Sequence, residues 1–198
     1  LKANLQWVAL GGTIIVDVDA FVDKAFDKAG YASNPLEDGS LSSYHIIQAP
    51  ISSQAKEIAI SLGMDIKDAD RTKNMYALGI VAFIYDRDLK ILFKQINDKF
   101  KKSPKVAEIN IEVLKAGYIY AESIEAIESR FHIPTAVLPK GKYRNISGNI
   151  ATAWGLLAAS ERSGRPLFLG SYPITPATDI LVELTRYKSL NARVMQCE

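Results

Sequence analysis

Apolar positions recur along the chain with two spacings, one of helices and one of strands, and the two alternate. Leu1, Leu5 and Val8 stand at i, i+4 and i+7 before Gly11-Gly12, which predicts the end of a helix. Thr13 to Val18 follows as a β-branched run of the kind that forms a buried parallel strand. Turn residues at Asn34-Pro35 and Glu37-Asp38-Gly39-Ser40 separate it from a second short strand, Tyr44 to Ala49, which stops at Pro50. Ser52-Ser53 offers an N-cap for a short helix from Gln54 to Leu62, with Gly63 as its C-cap. From Thr72 the period is helical: Met75, Leu78, Ala82 and Ile84 or Tyr85 share one side, and Gly79 permits close approach of a neighbour. Leu89, Leu92, Phe93, Ile96 and Phe100 continue that period. Pro104 suits a first helical position, and Val106, Ile109, Val113, Gly117 and Ile124 mark another long helix. This part reads as α/β with a helical hairpin.

Periodicity then lapses. Ile133 to Ser147 holds Pro134, Pro139, Gly141 and the basic Lys140, Lys142 and Arg144, which reads as a linker between domains. Beyond it a helix, strand, helix, strand order returns. Ile150, Ala153, Trp154 and Leu157 line one helix face, and Pro166-Leu-Phe-Leu-Gly170 reads as a short buried strand. Thr175 is placed to cap a helix with Pro176 at N1, Asp179 in its first turn, and Ile180, Leu181 and Leu184 facing the sheet. Ala192 to Glu198 reads as a strand with nothing after it to cover its sheet, and Leu1 opens inside an α/β unit. Both ends are therefore expected to be cut from a longer polypeptide.

With 198 residues, 48% apolar and 23% charged, the chain can bury a core and has room for one domain plus part of another. A net charge of +2, with no basic run interleaved with aromatics, argues against a nucleic-acid partner. No apolar run approaches the roughly 20 residues that span a bilayer, and no leader is visible, so no membrane partner and a cytoplasmic location are expected. Cys197, the single cysteine, cannot ligate an iron–sulfur cluster alone, so any cluster belongs on another chain.

Most candidate chemistry is weak. His45 and His132 lie far apart without visible partners. Neither phosphate-cradling glycine pattern occurs. Glu122, Glu125 and Glu128, with Arg130 nearby, read as a solvated helix face. Gly170-Ser-Tyr-Pro-Ile-Thr-Pro176 differs, because it runs from a strand end through a turn into a helix start, where open α/β sheets bind ligands. Its prolines restrict the backbone, and a helix start suits an anion such as a carboxylate. The same residues are also simply a good way to begin a helix.

Tyr172-Pro173-Ile174-Thr175-Pro176, with Gly148-Asn149 upstream and Met195-Gln196-Cys197-Glu198 downstream, resembles the alpha subunit of the 2-oxoacid:ferredoxin oxidoreductases. Asn74 to Gly79 within its helix is similar to the gamma domain that some members carry fused ahead of alpha. The resemblance covers essentially all of the chain. It implies a Rossmann-like gamma domain over residues 1–138, a linker over 139–147, and the first βα units of a thiamine-diphosphate-binding, pyrimidine-type domain over 148–198, truncated at both ends. It implies that Thr175 lies near the carboxylate of the 2-oxoacid, while Tyr172, Pro173, Ile174 and Pro176 form that wall. Glu198 matches the glutamate that contacts the pyrimidine ring, where a carboxylate on a ring nitrogen suits proton transfer. Gly148 and Asn149 take a supporting cofactor role only, because Ile150 stands where the family commonly has Glu or Thr.

The implied activity is oxidative decarboxylation of a 2-oxoacid to acyl-CoA, with coenzyme A as cosubstrate and electrons leaving for ferredoxin. Thiamine diphosphate and its magnesium would occupy a shared site whose diphosphate side, like the iron–sulfur cluster, belongs to a beta subunit. The fused arrangement favours 2-oxoglutarate over pyruvate and branched-chain oxoacids, and the piece alone is expected to be inactive. Two rivals stand beside it: a noncatalytic α/β interaction module, and another thiamine-fold enzyme without ferredoxin.

Overall fold

The computed structural model describes residues 1–127 and 130–197; Glu128 and Glu198 lie outside the described residues. It divides into two compact units, Leu1–Thr135 and Ala136–Glu198. Each is mixed α/β, built around one pair of parallel strands.

In the first unit, β1 (Thr13–Asp17) pairs in parallel with β2 (His45–Ala49), Ile15 opposite Ile47. The residues before β1 form a 3-10 helix, Lys2–Trp7, rather than the end of an α-helix. It buries nothing, and without a packed face a short segment settles for the tighter local turn. A helix not foreseen from the sequence, α1 (Asp23–Ala29), connects the strands and ends on Gly30 in the left-handed conformation, φ +68. Helix α2 spans Ile51–Ser61, three residues earlier than expected, so Ser52 and Ser53 are in its first turn rather than at its cap. Its first amides are satisfied from a distance. Asp17 accepts from Ser52 N at 3.2 Å and from the Ser52 hydroxyl, and Asp19 accepts from Ser53 N at 2.6 Å. Two carboxylates at the end of β1 thus do the work of a local cap, which the positive helix start favours. Gly63, φ +88, closes the helix as expected, with Met64 N donating to Ala59 O at 3.0 Å.

A four-residue helix, α3 (Ile66–Ala69), leads into the helical layer: α4 (Lys73–Ile84), α5 (Leu89–Lys99) and α6 (Pro104–Ser123). The chain breaks between α4 and α5 at Asp86, φ +46, and restarts where Asp88 accepts from Lys90 N at 2.8 Å. Helices α4 and α6 lie backbone to backbone. A Cβ added at Gly79 would come within 2.7 Å of Tyr118 N, and one at Gly117 within 2.8 Å of the Tyr76 carbonyl carbon. This reciprocal contact is the close approach expected at Gly79. Around it Tyr76, Ile80, Phe83, Ile109 and Val113 join Ile47, Ala49 and Ala55 in one buried cluster. Each fully buried aliphatic there contributes roughly 1.5–3 kcal/mol of transfer free energy. Helix α5 packs on α6 through Ile96, Ala107 and Leu114.

In the second unit, α7 (Gly148–Ser163) starts at Ser147, whose hydroxyl accepts from Ile150 N at 3.3 Å. Strands β3 (Leu167–Ser171) and β4 (Ala192–Gln196) pair in parallel, Leu169 opposite Val194, and α8 (Thr178–Thr185) connects them. Leu167, Leu169, Ala192 and Val194 face the core of Ala153, Leu157 and Leu184. The expectation of a buried strand is corrected for one face of β3: Phe168 is 65% exposed, because both helices cover the same face of the pair. The predicted start of α8 is corrected too. Thr175 makes no capping bond and the helix begins at Thr178, because Thr178 N is already taken by Ile174 O at 3.0 Å in a preceding turn. Asp179 is in the first turn, as expected.

Candidate functional site at the carboxyl ends of β3 and β4

Parallel pairing brings two chain segments out of the sheet side by side. Ser171 is opposite Gln196 in the register, and Cys197 N continues the ladder by donating to Ser171 O at 2.9 Å. The turn Tyr172–Pro176 therefore leaves the sheet next to Cys197, at the edge where open α/β sheets take ligands. The sheet is close-set here, since a Cβ added at Gly170 would lie 3.4 Å from Cys197 Sγ.

All five turn residues are exposed, Tyr172 by 64% and Ile174 by 54%. Four hydrogen bonds shape the turn from within its own segment. Ser171 Oγ donates to Tyr172 O at 3.3 Å, Thr178 N and Oγ1 donate to Ile174 O at 3.0 and 3.1 Å, and Asp179 N donates to Pro176 O at 3.3 Å. Among the described residues the Thr175 hydroxyl has no partner, so it is free to donate to a ligand's carboxylate or carbonyl.

Of the upstream pair, Asn149 reaches the turn and Gly148 does not. Asn149 Nδ2 donates to Pro176 O at 2.8 Å, while the space beside Gly148 Cα is open. Glu198 lies outside the described residues. Among the described residues no group of three or more His, Cys, Asp or Glu side chains could hold a metal. Cys197 is free and exposed.

The sequence reading missed one buried polar cluster under this site. Glu183, 6% exposed, accepts from Trp154 Nε1 at 3.0 Å, from Arg186 Nη1 at 3.0 Å and from Tyr187 Oη at 3.3 Å. It fastens α8 to α7. The Arg144 guanidinium lies 5.6 Å from the Trp154 ring centroid. Only the Glu183-to-Arg186 and Glu183-to-Tyr187 spacings could have hinted at this, and both also fit a surface helix.

The remaining candidates do not assemble into a site. His132 Nδ1 lies 3.6 Å from Asp86, and Arg130 is 3.6 Å from Asp86, 3.5 Å from Glu122 and 4.0 Å from the Phe83 ring centroid. This arrangement ties the segment after α6 to the end of α4, where Phe131 N also donates to Ile84 O at 2.8 Å. His45 is at the start of β2. An apolar cavity of about 450 Å³ beneath Leu5, Ile14, Phe21 and Phe26 contains none of the candidate residues.

Comparison with known proteins gives the chain its relatives. Residues 1–120 match the family model described as pyruvate ferredoxin/flavodoxin oxidoreductase. Over all 198 residues the chain is 43% identical to the 2-oxoglutarate oxidoreductase subunit KorA of Mycobacterium tuberculosis, of whose length it spans 30%. It is 24% identical over 148 residues, 74% of the chain, to the alpha subunit of 2-oxoacid:ferredoxin oxidoreductase 2 of Aeropyrum pernix, spanning 22% of that protein. Among solved structures, the 2-oxoglutarate:ferredoxin oxidoreductase from Magnetococcus marinus, with 2-oxoglutarate, coenzyme A and succinyl-CoA bound, matches the whole chain over 30% of its own. The TM-score is 0.69 at 24% identity, a likeness of fold. On the family match over more than half its length, the chain belongs to the pyruvate ferredoxin/flavodoxin oxidoreductase family.

Proposed function

We propose that the chain is part of the alpha subunit of a 2-oxoacid:ferredoxin oxidoreductase, and that its substrate is 2-oxoglutarate, with pyruvate or a branched-chain oxoacid as the less favoured choices. The observation that carries this reading is the exposed Tyr172–Pro176 turn at the carboxyl end of a parallel strand, with the Thr175 hydroxyl unengaged among the described residues. The 43% identity to a protein named as a 2-oxoglutarate oxidoreductase subunit supports the choice of oxoacid.

In this reading the Thr175 hydroxyl donates to the carboxylate of the oxoacid, and Tyr172, Pro173, Ile174 and Pro176 shape the wall that orients it. Glu198 would hold a proton at the pyrimidine nitrogen of thiamine diphosphate. The turn fits that group because it presents a free donor at an open edge, beside the segment that leads to Glu198. When bound, thiamine diphosphate supplies the electron sink that decarboxylation of a 2-oxoacid requires. The magnesium and diphosphate side of the site, and the iron–sulfur cluster, belong to a beta subunit. Coenzyme A accepts the acyl group and ferredoxin the electrons. The complex works in the cytoplasm, without nucleic acid or membrane; among the described residues no helix is long and apolar enough to cross a bilayer.

The test is a substrate panel. The full-length protein, co-expressed with its partner subunit and supplied with thiamine diphosphate and coenzyme A, is offered each oxoacid with a viologen dye as acceptor. Coenzyme A-dependent dye reduction that is strongest with 2-oxoglutarate is expected. No reduction with any oxoacid, from a complex shown to hold its cluster, would move the assignment to a thiamine-fold enzyme of another kind.

A further inference from the structure

Because all of Tyr172–Pro176 is exposed, packing does little to fix it, and Pro173 and Pro176 remove two of its five backbone donors. Its conformation depends on hydrogen bonds. Those from Ser171, Thr178 and Asp179 come from immediate neighbours in sequence and move with the turn; the last is Asp179 N to Pro176 O at 3.3 Å. Among the described residues one donor reaches the five from elsewhere, Asn149 Nδ2 to Pro176 O at 2.8 Å.

Asn149 is a sound anchor because its helix is itself held. Five residues along α7, Trp154 Nε1 donates to the buried Glu183 carboxylate on α8 at 3.0 Å, and Ala153 and Leu157 pack against Leu184. Five residues of helix rise about 7.5 Å. The two helices are thus joined at two heights, once through the core and once at the turn.

We infer that Asn149 is a positioning residue: through the Pro176 carbonyl it fixes where Thr175 stands, and the Trp154–Glu183 bond keeps α7 in register to do so. One N–H of its side-chain amide is engaged in the turn, which ties it to substrate placement. The inference rests on the proposed function in treating Thr175 as the substrate donor. A donor displaced by about an ångström loses most of its worth, so rate should fall far more than the bond's own strength suggests.

Asn149→Asp keeps the shape and removes the donor. In the full-length protein with its partner subunit, it should lower kcat/KM for the oxoacid roughly ten- to a hundredfold. Added to Thr175→Ala it should cost less than about twofold more, because residues that act as a unit are not additive. Hydrogen exchange gives a readout independent of activity: the amides of Thr178 and Asp179, which bond Ile174 O and Pro176 O, should exchange faster in Asn149→Asp while those of Ala153 to Leu157 stay unchanged. Unchanged exchange in the turn, or a full multiplicative loss in the double variant, would overturn the inference. If Thr175→Ala alone leaves activity intact, the role given to Thr175 as substrate donor fails instead, and the exchange measurement still decides whether Asn149 holds the turn.

Discussion

Replacing Gly117 by alanine tests the α4–α6 contact on which the first unit is built. The new Cβ would overlap the Tyr76 carbonyl oxygen, its nearest obstacle, and would lie 2.8 Å from the carbonyl carbon and 3.0 Å from the Cα. Carbon atoms pack best at about 3.5–4.0 Å, so the helices must part by about 0.7 Å or more. The obstacle is main chain, with no rotamer to swing aside, and separation would loosen Tyr76, Ile80 and Val113 together. Overpacking costs about 1–3 kcal/mol, and the upper end applies here. Alanine's better helix propensity returns about 1 kcal/mol, leaving a net loss of about 2 kcal/mol. At about 2–4 °C per kcal/mol for a chain of this size, Tm should fall by about 4–8 °C. Gly155 is the control: it too is inside a helix, but nothing lies within 4 Å of its Cβ position. Gly155→Ala should stabilise by about 0.5–1 kcal/mol. Melting curves followed by far-UV circular dichroism would compare the two. If Gly117→Ala raised Tm as Gly155→Ala does, the helices would not be in backbone contact and the reasoning would be wrong.

Two further outcomes follow from polar groups in the first unit. Burial, and secondarily the neighbouring Tyr120, pushes the Tyr76 phenol up to about 12, against an ordinary 10.0. A raised folded value means that its share of stability is intact below about pH 10 and is lost as pH rises toward 12, so Tyr76→Phe should flatten the alkaline limb of a stability–pH curve. An unchanged limb would show that this phenol does not titrate against folding. Asp17→Ala removes the remote cap of α2 and should cost about 1–2 kcal/mol in chemical denaturation, whereas Ser53→Ala, whose hydroxyl bonds only Pro50 O, should cost under about 0.5 kcal/mol. Equal costs would refute the assignment of the cap to the aspartate.

What was legible in the sequence depended on how local its cause was. The β-branched run from Thr13, the helical period of α4 and α6, and Pro104 at a helix start each act within a few residues, and each formed its element, although α4 buries Tyr76, Ile80 and Phe83 beside the expected Ala82 and Ile84 while Tyr85 is exposed. Gly79 announced a close contact, but nothing in the sequence said that it faces α6 beside Gly117. Helix α1 was missed because Phe26 is its only strong apolar residue, and it buries none. The cap of α2 is not local, because its acceptors stand 35 and 34 residues upstream, Asp17 at the end of β1 and Asp19 in the turn just after it. Leu167, Phe168 and Leu169 are all apolar and predict a buried strand alike, and only the placement of α7 and α8 on one face decides between them. At the site, the strand–turn–helix order around Tyr172–Pro176 was readable from its prolines. The Asn149 bond and the Glu183 cluster were not, because each depends on how α7 lies against α8.

The central claim, that the Tyr172–Pro176 turn presents Thr175 to the substrate of a 2-oxoacid oxidoreductase, is tested most directly by one comparison. Coenzyme A-dependent dye reduction by the wild-type complex would be measured beside Thr175→Ala and Thr175→Ser, each confirmed to hold its cluster and partner. The account predicts a loss of roughly a hundredfold or more in kcat/KM for alanine and substantial retention for serine, which keeps the hydroxyl. Equal activity in all three would contradict it.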